Sequence, residues 1–190
     1  MEHDYVFKII IIGNTNVGKT QILNSYTQKF QKDVKPTVGI NDAFKIIKMD
    51  DNVVKFIIWD ISGNEKLKIS KIFYDKIDGA FIVYDITNRK SFESVDKWFK
   101  ELKDQDSEII FIGNKNDLDY DRKIEYDEEY QKAQKYSVLL FDVSAFTKKN
   151  IDTAFKNLFD SIYQKFICNK SNDSITIELD KNFTNNMMCC

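Results

Sequence analysis

Glycine, proline and cysteine are scarce in this sequence. Its 190 residues include 6 glycines, 1 proline and 3 cysteines, whereas average usage would give roughly 13 glycines and 9 prolines in a chain of this length. This scarcity excludes collagen-like chains and Gly/Pro-rich low-complexity chains. Three cysteines cannot form a disulfide scaffold, so we expect the protein to work in a reducing compartment.

A strong charge of one sign and long apolar runs are also missing. The 28 Lys and Arg residues nearly balance the 30 Asp and Glu residues. The basic excess typical of nucleic-acid binding is therefore absent, and we expect no nucleic-acid partner. The longest apolar run, Ala80–Tyr84, is too short to cross a membrane as a helix. The first residues, Met1–Asp4, lack the basic start and apolar stretch of a secretory signal.

What the sequence does contain is an alternation of apolar runs and amphipathic segments. Strands are predicted at Tyr5–Ile12, Val38–Lys48, Val53–Asp60, Ala80–Ile86, Ile109–Ile112 and Val138–Val143, the second and third forming an antiparallel hairpin. Helices are predicted at about Gly18–Lys29, Phe92–Leu102, Tyr126–Tyr136 and Ile151–Phe166. This order predicts an α/β fold, a mainly parallel sheet with helices on both faces. The composition turns polar after Cys168, so we expect a domain over 1–168 and a flexible tail over 169–190.

The first predicted strand leads into a G-x-x-x-x-G-K-[ST] motif. Its members are Gly13, Asn14, Thr15, Asn16, Val17, Gly18, Lys19 and Thr20. The glycines allow the backbone to wrap so that its N–H groups face phosphate oxygens, and the following helix adds a favourable dipole. Lys19 would place its charge on the β- and γ-phosphates, and the Thr20 hydroxyl would bind Mg²⁺. The motif predicts nucleoside triphosphate binding without specifying the base, so a P-loop kinase of a small metabolite stays open.

The base is predicted from Asn114–Asp117, which follows the strand that ends at Gly113. The carboxylate of Asp117 can accept hydrogen bonds from the N1–H and the 2-amino group of guanine. Adenine offers neither donor there, so a carboxylate at this place rejects ATP. The alternative reading of these residues is a polar turn after a strand. Behind a phosphate-binding loop, we expect GTP and GDP as the ligands.

Two further segments stand where the nucleotide state can be sensed. Asp60 ends the third predicted strand and can hold Mg²⁺ through water, while the N–H of Gly63 can contact the γ-phosphate. Thr37 lies between this segment and the phosphate loop, and it can reach both Mg²⁺ and the γ-phosphate only while that phosphate is present. The segment around Thr37 is therefore a candidate order–disorder switch.

Taken together, these motifs resemble the Ras superfamily of small GTPases, and the Rab family most closely. The resemblance covers about Tyr5 to Phe166 and includes Trp59–Glu65 and Val83–Phe92. It implies the P-loop small-GTPase fold, with a six-stranded sheet, one antiparallel edge strand and five helices. It also implies further nucleotide contacts, at Gln21, Phe30, Asn114, Lys115, Ser144, Ala145 and Phe146. In this reading the backbone of Gln21 contacts the α-phosphate, Phe30 packs against the base, and the Ala145 N–H bonds the base O6.

Several residues depart from the Rab pattern. Asn64 stands where the family has the Gln that positions the attacking water. Asn is one methylene shorter, so we expect slow intrinsic hydrolysis unless a shifted backbone restores the contact. Phe146 stands where the family usually has a Lys whose aliphatic side chain flanks the base. That flanking contact is therefore lost or replaced by aromatic packing. Trp59 and Phe73 match two members of the aromatic triad that effectors read, and Phe44 is offset by two residues from the third.

The chain ends in Cys189 and Cys190, the Rab-type double-cysteine terminus. Two lipid chains anchor a protein stably where one gives only marginal binding. The resemblance implies a prenylated GTP/GDP switch of vesicle traffic, a monomer on the cytosolic face of intracellular membranes with a cytosolic GDP-bound pool. Its implied partners are an exchange factor, a GTPase-activating protein, effectors at the switch surface, and the prenylation, escort and GDP-dissociation machinery. The alternative is a membrane scaffold locked on GTP without meaningful turnover.

Overall fold

The computed structural model describes residues 2–28, 40–61, 76–102 and 104–186, and within them a single six-stranded sheet. The strands are β1 (Tyr5–Ile12), β2 (Ile40–Met49), β3 (Asn52–Ile61), β4 (Gly79–Asp85), β5 (Glu108–Asn114) and β6 (Leu139–Asp142). Their order across the sheet is β2-β3-β1-β4-β5-β6. Edge strand β2 pairs antiparallel with β3, and every other pair is parallel. The predicted sheet and its antiparallel edge are confirmed.

Helices follow the strands as the alternation predicts. Those in the described ranges are α1 (Lys19–Tyr26), α2 (Arg89–Glu93), α3 (Val95–Leu102), α4 (Tyr126–Tyr136) and α5 (Ile151–Asn186), with a 3₁₀ helix at Asn116–Asp121. The single helix expected over Phe92–Leu102 is two helices that meet at Ser94. At this junction the Ser94 hydroxyl donates to the Lys90 carbonyl (2.9 Å), which also accepts from the Ser94 backbone N–H (3.2 Å).

Both faces of the sheet are covered, which explains the continuous apolar runs of β1 and β4. Ile9 and Ile11 face α1 and α5, while Ile10 and Ile12 face the layer that contains α2, α3 and α4. Aromatic stacking fastens α5 to the first face, with the Phe56 and Phe159 rings 4.0 Å apart between centroids. The core therefore holds the carboxyl ends of the parallel strands rigidly.

Helix α5 runs to Asn186, past the point at Cys168 where the sequence predicts a coil. The division into a domain and a tail stays a prediction. In the parts of the chain that the structure describes, no helix combines the length and the apolar character that a membrane crossing requires.

Candidate nucleotide-binding site

The predicted motifs meet at one edge of the sheet. The phosphate loop follows β1, Asp60 lies near the end of β3, the Asn114 motif ends β5, and Ser144 follows β6. Carboxyl ends of parallel strands converge at the same edge, where α/β proteins bind their ligands. The fold therefore brings together residues that are far apart along the chain.

Two glycines give the phosphate loop its close path. Gly13 has φ of 141°, and a Cβ there would lie 2.1 Å from the Val83 carbonyl oxygen. Gly18 has φ of 95°, and a Cβ there would lie 2.3 Å from Nδ2 of Asn114. Any larger residue would collide with neighbouring strands, so the loop needs glycine at both ends of its turn.

The Lys19 side chain lies inside this loop and binds its backbone. Its Nζ donates to the carbonyl oxygens of Gly13 (2.9 Å) and Asn14 (2.8 Å), and the side chain is only 6% exposed. Burial lowers the pKa of Lys19 to about 8, against the opposing attraction of Asp60. A buried ammonium at the centre of a loop is well placed to meet phosphate oxygens.

Thr20 and Asp60 form the candidate magnesium site. The Thr20 hydroxyl donates to Oδ2 of Asp60 (2.5 Å), and Asp60 is fully buried. Hydroxyl and carboxylate oxygens are ligands that Mg²⁺ prefers, and Mg²⁺ usually takes only one or two of them beside phosphate and water. The donor set therefore fits a magnesium ion shared with a nucleotide.

Asn114 joins the phosphate half of the site to the base half. Its side chain is buried, with Nδ2 donating to the Val17 carbonyl (2.8 Å) and Oδ1 accepting from the Ala145 N–H (3.2 Å). The Ser144 hydroxyl donates to Oδ1 of Asp117 (2.5 Å), which orients that carboxylate. The predicted contact from the Ala145 N–H to the base stays a prediction.

A cavity of about 210 Å³ opens between these loops. Its lining consists of residues from the motifs predicted to bind nucleotide, Gly18, Gln21, Asn114, Lys115, Asp117, Ala145 and Phe146. Phe146 is 60% exposed at the cavity. The structure thus assembles one pocket from the phosphate loop, the Asn114 motif and the loop after β6.

Sequence reasoning missed Asp85, which supports Lys115. The Lys115 ammonium lies 2.6 Å from Oδ2 of Asp85 at the end of β4, and the Asp85 backbone N–H donates to the Ser91 hydroxyl. A carboxylate that ends an apolar strand was the available signal. The pair positions Lys115, whose backbone has φ of 69°.

Arg122 was also missed, and it ties the base half to the strands behind it. It pairs with Asp119 (2.7 Å), Glu129 (2.9 Å) and Asp142, and its side chain is 9% exposed. Burial, together with the Asp142 carboxylate, raises the pKa of Glu129 to about 7. Burial likewise raises the pKa of Asp142. No local pattern in the sequence signals this cluster, because its members come from three elements.

Several predicted site residues lie outside the described ranges: Phe30, Thr37, Gly63, Asn64, Phe73, Cys189 and Cys190.

The pairing of β2 with β3 shows where Phe44 lies relative to Trp59. In the β2–β3 register Asp42 stands opposite Trp59, and Phe44 stands opposite Ile57. Side chains two residues apart share a face, so Phe44, which is 61% exposed, lies on the same face as Trp59 and one step along the strand.

Comparisons with known proteins show the family of this chain. The model of the Ras family matches residues 8–164. The chain is 36% identical over 191 residues to the Ras-related protein Rab-11B of Dictyostelium discoideum, covering 98% of this chain and 86% of that protein. It is 35% identical over 175 residues to the Ras-related protein Rab11B of Nicotiana tabacum, covering 90% and 80%. It is 36% identical over 168 residues to the Ras-related protein RABA1f of Arabidopsis thaliana, covering 86% and 77%. The chain therefore belongs to the Ras family and, within it, to the Rab GTPases.

Proposed function

We propose that this Rab GTPase is a GTP/GDP switch of vesicle traffic that binds guanine nucleotide in the cavity between the phosphate loop and the Asn114 motif. The observation that carries the proposal is the pair of hydrogen bonds made by the Asn114 side chain. These bonds join the phosphate loop, at Val17, to the loop after β6, at Ala145, and so fix the two halves of the pocket against each other. Asp117, oriented by Ser144, supplies the acceptors that guanine requires and adenine cannot satisfy.

Magnesium would be held by the Thr20 hydroxyl and Asp60, with Thr37 as a further proposed ligand. When bound, the ion neutralises charge on the phosphate oxygens. The chain itself contributes the Lys19 ammonium and the backbone N–H groups of the loop, which bind and orient the phosphates. The segments around Thr37 and Gly63 would become ordered on GTP and present the surface that effectors bind.

Base selectivity tests this function directly. We expect the native chain to bind GDP and GTP tightly and ATP far more weakly in a competition titration. Asp117→Ala removes the carboxylate and should abolish most of that preference. Equal affinity of the native chain for ATP and GTP would contradict the assignment and favour a P-loop kinase.

We also propose that intrinsic hydrolysis is slow, because Asn64 is one methylene shorter than the family's glutamine. Single-turnover hydrolysis of bound GTP should be faster in Asn64→Gln than in the native chain. A GTPase-activating protein that supplies an arginine would increase the rate of GTP hydrolysis by a factor of roughly 10³–10⁵. Equal rates in the native chain and the variant would refute the proposal that Asn64 slows turnover, and ready turnover by the native chain would refute the alternative of a scaffold locked on GTP.

The same proposal extends to the membrane. Residues 1–168 would form the GTPase domain, and 169–190 would carry prenyl lipids on Cys189 and Cys190. The monomer would then cycle between the cytosolic face of intracellular membranes and a GDP-bound cytosolic pool, through an exchange factor and escort and GDP-dissociation proteins. Mass spectrometry of native material should show both cysteines modified, and two unmodified cysteines would defeat this part of the proposal.

A further inference from the structure

We propose that Trp98 and Ser94 are positioning residues for nucleotide binding, because together they hold the Asn14 side chain of the phosphate loop. This inference rests on the proposed function, since it concerns the same pocket. Neither side chain reaches the pocket lining described above, so both act through Asn14.

The contacts satisfy both ends of the Asn14 amide. The Trp98 indole N–H donates to Oδ1 of Asn14 (2.8 Å), and Nδ2 of Asn14 donates to the Ser94 hydroxyl oxygen (2.9 Å). Ser94 in turn donates to the carbonyl of Lys90 (2.9 Å). The amide is thus bound at two points by residues 80 and 84 positions away in the chain.

Burial makes this attachment rigid. Trp98 is 5% exposed and belongs to the core layer on the α3 side of the sheet, where it shares a cluster with Phe92, Val95 and Leu102. A packed indole cannot move away from its partner, and water competes poorly for a donor in such surroundings. The side chain of Asn14 is therefore anchored to the core rather than to another loop.

Asn14 transmits this anchoring to the ammonium that meets the phosphates. Its backbone carbonyl is one of the two that accept from Nζ of Lys19. A shift of Asn14 would move that carbonyl and loosen Lys19. Holding the Asn14 amide therefore keeps both the loop and its positive charge in place, which is how a residue outside a site contributes to binding.

The chain segment that carries Trp98 also reaches the base half of the site. Asp85, which precedes α2, pairs with Lys115, and its N–H donates to Ser91 on α2. Residues 85–98 thus contact the Asn114 motif through Asp85 and the phosphate loop through Ser94 and Trp98.

GDP dissociation from the full chain, measured with excess competing nucleotide and Mg²⁺, tests the proposal. Trp98→Phe keeps a ring and removes only the indole donor. It should speed dissociation about three- to tenfold, the effect of one lost hydrogen bond. Ser94→Ala removes the acceptor of the other bond and should act in the same direction.

A double-mutant cycle separates positioning from a general loss of stability. In an Asn14→Leu background, which lacks the acceptor, Trp98→Phe should bring no further acceleration. In an Asn14→Asp background, which keeps an oxygen acceptor, it should still accelerate release. Tyr136→Phe is the matched control. It removes a hydrogen-bond donor from α4 to Asp96, which lies on α3 with Trp98, and it should leave GDP dissociation unchanged.

The proposal would be overturned by an unchanged dissociation rate in Trp98→Phe, or by effects of Trp98→Phe and Asn14→Leu that multiply independently. Acceleration in Tyr136→Phe equal to that in Trp98→Phe would also overturn it, since a structural role would then suffice. Failure of the native chain to bind GDP at all would instead refute the proposed function, so the two failures are distinguishable.

Discussion

At the scale of single residues, Lys19 shows how the fold prepares a group for its ligand. Its ammonium is buried against two loop carbonyls, and burial lowers its pKa to about 8. A buried ammonium that is not fully hydrated costs free energy unless an anion binds beside it. Phosphate binding would relieve that cost, so the side chain favours the nucleotide-bound state.

Lys19→Ala should therefore abolish nucleotide binding. Loss of the ammonium removes both the charge that faces the phosphates and the bridge that closes the loop, so we expect more than a hundredfold weaker GDP binding in a titration, about 3 kcal/mol or more. Lys123→Ala, an exposed lysine outside the pocket lining, is the control. Tight GDP binding by Lys19→Ala would refute the phosphate-loop assignment.

Phe146 stands at the mouth of the cavity as a large exposed ring. Every base has a π-face, so stacking on an aromatic side chain contributes affinity without reading the base edge, about 1–3 kcal/mol by alanine substitution. Phe146→Ala should weaken the binding of GDP and of inosine diphosphate by the same factor, about tenfold. Asp117→Ala should instead weaken the binding of GDP more than that of inosine diphosphate, which lacks the 2-amino group. Unequal losses of affinity for the two nucleotides in Phe146→Ala would exclude simple stacking.

At the scale of elements, Arg122 pairs with residues of α4, of β6 and of the 3₁₀ helix at Asn116–Asp121, and so joins these three elements. Within this buried cluster Glu129 competes with Asp142 for a single guanidinium. Its pKa of about 7 exceeds the ordinary 4.5 because burial and the Asp142 carboxylate outweigh the attraction of Arg122. The folded state therefore holds this proton more tightly than the unfolded chain does.

The Glu129 contribution to stability should accordingly decrease as pH rises from about 4.5 to about 7. A raised carboxyl pKa means that ionisation is costlier in the folded state, by up to about 3 kcal/mol. Urea unfolding of the GDP-bound chain at pH 5, 6, 7 and 8 should show the native protein losing stability relative to Glu129→Gln over this range. Asp127→Asn, on the exposed face of the same helix, is the control. A difference between native and Glu129→Gln that does not change with pH would contradict the prediction.

At the scale of the whole molecule, ligand binding and folding are one equilibrium. The candidate site, which combines the pocket with the proposed magnesium ligands, is assembled from the ends of β1, β3, β5 and β6, so it exists only in the folded chain. A ligand that binds only the folded state raises the unfolding free energy, by about 2.7 kcal/mol at a concentration one hundred times its Kd.

Thermal unfolding should therefore shift upward with GDP and Mg²⁺, and far less with ADP and Mg²⁺ at the same concentration. The shift should grow with the logarithm of the GDP concentration. In Asp117→Ala the distinction between GDP and ADP should shrink. Equal shifts with both nucleotides in the native chain would argue against guanine selectivity.

Much of this fold and site could be predicted from the chain alone, because the signals are local. The bounds of β1 and α4 are as predicted, since apolar runs and helical periodicity report the burial of a single element. Gly13–Thr20 was recognisable because a tight loop around phosphate needs glycines, a lysine and a hydroxyl at fixed spacing. The division of the expected Phe92–Leu102 helix at Ser94 was not predictable from periodicity, because apolar spacing is the same on both sides of the junction.

The sequence by itself predicted the chemistry: a phosphate loop, a guanine-reading carboxylate, and oxygen ligands for magnesium at Thr20, Thr37 and Asp60. Only the tertiary structure decided which side chains hold these groups, through Trp98 on Asn14, Asp85 on Lys115, and Arg122 between α4 and β6. The physical reason is distance along the chain. Spacing within one element is written in neighbouring residues, whereas contacts across 80 positions depend on how the strand ends converge and the helices pack.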